Sequence, residues 1–98
     1  MNLEEKKAIE IKVANSIANA ELAKTDWYVV RNAEVGTAIP ANVATHRAAV
    51  RAKCNTIESA VNACVTEDDF NALFEIPTDD DGNFTGYAII ENWPTLEE

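Results

Sequence analysis

Val43, Arg47, Val50, Cys54, Ile57, Val61 and Cys64 follow one another at spacings of 4, 3, 4, 3, 4 and 3 residues. That rhythm keeps all seven side chains on one side of an α-helix, since it nearly matches the helical turn. In a strand the same residues would scatter over both faces. The spacing therefore predicts an unbroken long helix from Pro40 onward, carrying an apolar stripe that has to be covered. Three repeats favour a neighbouring helix of the same chain as the cover over a coiled coil between copies. One member of the stripe is charged. A buried Arg47 needs an aromatic to stack on or a carboxylate to meet.

A partner for the stripe lies upstream. No Gly or Pro occurs before Gly36. Asn2 with Glu5 three residues later is a capping-box pattern, so a helix is expected over residues 3–24, about 30 Å long. Ile9, Val13 and Ile17 form one row, and Ile11, Ala14, Ala18 and Leu22 a second beside it. Together they predict one broad apolar face. Thr25 and Asp26 offer an N-cap to a short helix through "WYVVRNAE", which Gly36 can end in a left-handed conformation. Ile39 before a proline is extended, and Pro40 suits a helix start. Thr66 and Asp69 cap another short helix whose buried face is Phe70, Leu73 and Phe74, with Pro77 ending it. "TDDDGNF" reads as a turn and "FTGYAIIENW" as a strand, paired with a short one near Glu75–Thr78. Leu96 to Glu98 are expected to fray.

The fold expected is thus mainly α: an antiparallel helical hairpin with a short corner helix and a small C-terminal β element. It is one domain over residues 1–98, divided into an N-terminal helix (1–24), a middle section (25–65) and an acidic C-terminal helix, turn and strand (66–98). A chain of 98 residues buries only about 60–65% of its unfolded surface, so a lone core is modest. A hydrophobic content of 47% argues against disorder over the whole length.

Charge is unevenly spread. Residues 1–53 hold all eight basic side chains against six acids, and residues 54–98 hold eleven acids and no base, for a net charge of −9. The acidic half should repel nucleic acid and anionic membrane and could attract a basic protein surface. No apolar run is long enough to cross a bilayer, and the charged N-terminus does not read as a signal peptide. Cys54 and Cys64, ten residues apart on one helix, are about 15 Å apart and too far for a disulfide. They read as small buried hydrophobes in a reducing compartment.

Catalytic and metal chemistry find little footing. With Gly82 at the sixth position of a calcium loop, Asp81 and Asp79 supply ligands, but Pro77 and Ala88 occupy the first and twelfth positions. With one histidine and no CxxC, a zinc site is not expected. His46 has neither cysteine one helical turn away, and the three glycines are isolated, so no nucleophile–base pair and no phosphate loop can be built. His46 reads as a structural or exposed helix residue. The chain is expected not to be an enzyme, to need no cofactor and to bind no metal.

What remains is recognition chemistry. Trp27 and Tyr28 carry large area, a polar tip and few torsions, as interface residues do. Arg31, Arg47 and Arg51 lie close in sequence, and Trp93-Pro94 repeats the aromatic theme. "AKTDWYVVRNAEVGTAIPANVATHRAAVR" resembles the segment shared by tail fibre assembly proteins, or tail assembly chaperones, of tailed bacteriophages. The resemblance rests on Thr25, Asp26, Trp27, Glu34, Gly36, Ile39, Pro40, Arg47, Arg51, Trp93 and Pro94, and spans residues 20–53 plus the terminal dipeptide. The chain departs from the pattern at His46, where the family commonly has an aromatic, and in the acidic run 67–81. The resemblance implies a protein that binds a tail fibre or baseplate protein and aids its folding or attachment, in the host cytoplasm during assembly or in the virion tail. Trp27, Tyr28, Arg31, Arg47, Arg51 and Trp93 would carry partner contacts. Two other classes were weighed. One is a small structural tail component that forms a homo-oligomer through the long helix. The other is an acidic nucleic-acid mimic, which needs carboxylates along a rigid face, whereas these acids cluster at turns.

Overall fold

The structure, a computed structural model, describes residues 1–96. Its helices are α1 (Leu3–Ala23), α2 (Asp26–Val35), α3 (Ala41–Asn62) and α4 (Glu67–Ala72). Each boundary has a local cause. The Asn2 side chain accepts the Glu5 N–H at 2.9 Å and starts α1. Gly36, at φ +75°, ends α2 and returns its N–H to Asn32 O. Pro40 precedes α3 with its φ already set. Thr66 and Asp69 form a reciprocal capping box at α4.

Helices α1 and α3 lie side by side and antiparallel, as three contacts along their length establish. Lys7 Nζ donates to Cys64 O near one end, Cys54 Sγ to Asn15 Oδ1 in the middle, and Arg47 Nη1 to Leu22 O at the other. The α3 stripe is the core: Val43, Val50, Cys54, Ile57 and Val61 are buried, with Cys64 just past the helix end. Ala14 and Ala18 of α1 meet them, joined by Phe70 and Leu73 from α4. The two alanines let the helix axes approach closely, because interaxial distance is set by the side chains between them. The C-terminal segment lies over the hairpin through Ala88, Ile90 and Trp93. Lys53 Nζ holds it by donating to Ile89 O at 2.8 Å.

Several expectations need correction. The apolar face of α1 is not one surface. Ile11, Ala14, Ala18 and Leu22 pack inward, while Ile9, Val13 and Ile17 are exposed. Phe74 is also exposed, its ring tilted against Phe70. Thr25 does not cap α2 with its side chain; the hydroxyl turns back to Leu22 O. The C-terminal β element is reduced to a single antiparallel bridge, Thr78 to Phe84, with no strand among the described residues. The turn itself forms, and Asp79 Oδ1 accepts the N–H groups of Asp81 and Asn83 at 2.9 Å each. The ladder stops because Pro77 has no N–H to return to Thr85, although its carbonyl accepts from Thr85. For the expected fraying of the terminus, Glu97 and Glu98 fall outside the described residues.

Candidate protein-binding surface

The corner where α1 passes into α2 is organised by one side chain from α3. Arg47 Nη1 donates to Leu22 O (2.9 Å), Thr25 Oγ1 (2.9 Å) and Asp26 Oδ1 (3.0 Å). Leu22 O lies in the last turn of α1, where it also accepts the Thr25 N–H and hydroxyl, and a cation there suits the helix dipole. Thr25 is 2% exposed, so its hydroxyl depends on these two protein partners. Of the aromatic or carboxylate that a buried Arg47 needs, the structure supplies a carboxylate, Asp26, one residue before Trp27.

Held by that corner, α2 projects outward, with none of its residues buried. Trp27 stacks on Tyr28 with ring centroids 3.9 Å apart. The Arg31 guanidinium lies 4.9 Å from the Trp27 centroid and 5.6 Å from that of Tyr28. Trp27 is 52% exposed, and Val30 and Val35 stand out beside it. The stack borders an open concavity of about 410 Å³ lined also by Lys24, Thr25 and Thr95.

Of the six residues expected to contact a partner, Trp27, Tyr28 and Arg31 form this stack. Arg47 instead holds Asp26, the residue before the stack, and its Nη1 is engaged within the chain. Arg51 is exposed one turn further along α3. Trp93 is set apart from the stack: it packs on the hairpin core, its indole N–H buried with no hydrogen-bond partner among the described residues.

Sequence reasoning missed two residues of the corner, Glu21 and the interior place of His46. His46 is buried, with Nε2 3.5 Å from Glu21 Oε2. A signal existed: His46 is three residues after Val43 and four before Val50, both on the stripe. Glu21 also accepts from Lys24 Nζ at 2.7 Å. That hydrogen bond is the main cause holding the Glu21 carboxyl below its usual range; burial opposes it, and the charges of Lys24 and His46 add to it. Burial, with Glu58 nearby, raises the Cys54 thiol. Among the described residues no group of three or more His, Cys, Asp or Glu could hold a metal, and no helix is long and apolar enough to cross a membrane.

Compared with known proteins, the chain matches no family model, no curated protein and no solved structure.

Proposed function

We propose that this chain is a binding protein of the tail assembly chaperone type, acting on a tail fibre or baseplate protein of a tailed bacteriophage in the host cytoplasm. The observation that carries the reading is the Trp27–Tyr28–Arg31 stack on a helix that buries none of its residues. Contiguous exposed apolar groups mark interaction surfaces, and here Trp27, Val29 and Val30 are exposed together on one short helix. Rigid aromatic and guanidinium groups also contribute most to binding per residue. The motif residues behind the resemblance converge on the same corner: Thr25 and Asp26 meet Arg47, and Trp27 follows at once. The long-helix stripe, by contrast, is spent on packing within the chain.

The test is capture of tail proteins from phage-infected cells by the tagged chain. Wild type should retain a fibre or baseplate protein. Trp27→Ala should lower the amount retained about tenfold, as for an interface anchor, with the melting temperature unchanged. Failure to retain any tail protein refutes the proposal.

A further inference from the structure

Residues 74–89 leave an apolar, β-prone stretch uncovered, running from the end of the hairpin away from the α2 corner to its middle, where Lys53 holds Ile89. Phe74, Ile76, Phe84, Tyr87 and Ile89 are all exposed, Phe84 to 74% and Tyr87 to 64%. The end is fixed by Lys6 near the start of α1, whose Nζ pairs with Glu67 of α4 at 3.1 Å. The corner lies about 30 Å away along the 21 residues of α1.

The backbone here is open as well. The Thr78–Phe84 bridge is flanked by bonds from Asp79 N–H to Asn83 O and from Thr85 N–H to Pro77 O. Bonds on either side of a pair turn the pair's own N–H and C=O away from each other. Phe84 therefore offers its backbone outward. Within residues 84–91, only Thr85 and Glu91 donate a backbone hydrogen bond to another described residue. Pro77 prevents the chain from completing this ladder itself. The surroundings carry one sign of charge: Glu75, Asp79, Asp80 and Asp81 are exposed, and residues 54–98 contain no basic side chain.

We infer that residues 74–89 accept a cationic, apolar strand from a partner protein by β-addition at the Phe84 edge. The outward N–H and C=O of Phe84 supply the main-chain hydrogen bonds, the exposed Phe84 and Tyr87 rings, on either side of the bend at Gly86, cover apolar side chains, and the acids select lysine or arginine among them. This surface is distinct from the α2 stack and does not depend on it.

The probe is a synthetic alternating Lys–Val peptide, compared by calorimetry with an oligolysine of equal charge, using the full chain. Wild type should bind the Lys–Val peptide, and hydrogen exchange of the amides over 84–87 should slow on binding. Phe84→Ser with Tyr87→Ser, both at exposed positions, should weaken binding about tenfold, whereas Trp27→Ala should leave it unchanged. A chain that binds Lys–Val but captures no tail protein keeps this inference and loses the previous one. Three results overturn it: no binding of Lys–Val; equal binding of oligolysine without exchange protection; or a dimer by light scattering that Phe84→Ser abolishes, which makes a second copy the occupant.

Discussion

Arg47 is the residue on which the corner depends. It joins the end of α1, the buried Thr25 hydroxyl and the first residue of α2 from a position on α3. Its place on the apolar stripe was visible in the sequence, as was its need for an aromatic or a carboxylate. Its other partners were not, because a main-chain carbonyl and a threonine leave no pattern. Removing the guanidinium takes a charged donor from the buried Thr25 hydroxyl and unlinks the three segments. Arg47→Ala should therefore cost about 2–3 kcal/mol, measured by urea unfolding. All three contacts come from the one nitrogen Nη1, so Arg47→Lys should recover part of this, limited by the shorter reach of its ammonium. An unchanged midpoint in Arg47→Ala would show that the corner is held by packing alone.

At the scale of elements, the chain separates what periodicity can resolve from what it cannot. The α3 stripe was legible because every residue on it is apolar apart from Arg47, and the opposite face carries only alanines and polar residues. On α1 two adjacent rows are both apolar, and nothing in the spacing says which one turns inward. The alanine row does, because small side chains let the branched residues of α3 sit against the helix backbone. The bulkier Ile9, Val13 and Ile17 are left outside. Truncation should divide the rows cleanly. Ile57→Ala, at a side chain 1% exposed, should cost about 2–5 kcal/mol. Val13→Ala should change stability by less than about 0.5 kcal/mol. Equal effects in thermal unfolding would mean that α1 packs through the other row. The β element does not follow from residue type alone, because pairing needs N–H groups from both strands and Pro77 has none.

Seen whole, the molecule has two tryptophans in opposite situations. Trp93 lies on the core and ties the C-terminal segment to the hairpin, while Trp27 faces solvent on α2. Trp93→Ala should lower the melting temperature by several degrees, whereas Trp27→Ala should not. A destabilised Trp27→Ala would make the α2 stack part of the scaffold. The principal extents are 51 × 34 × 16 Å. The shortest is little more than the 10–12 Å breadth of one helix with its side chains. A body this thin has a seam for an interior, running from Val43 to Val61, and two broad sides that meet water almost everywhere. A polypeptide that binds it need not find a cleft. Any polypeptide lying flat against one side becomes a second wall, and residues that were surface become the middle of a thicker slab.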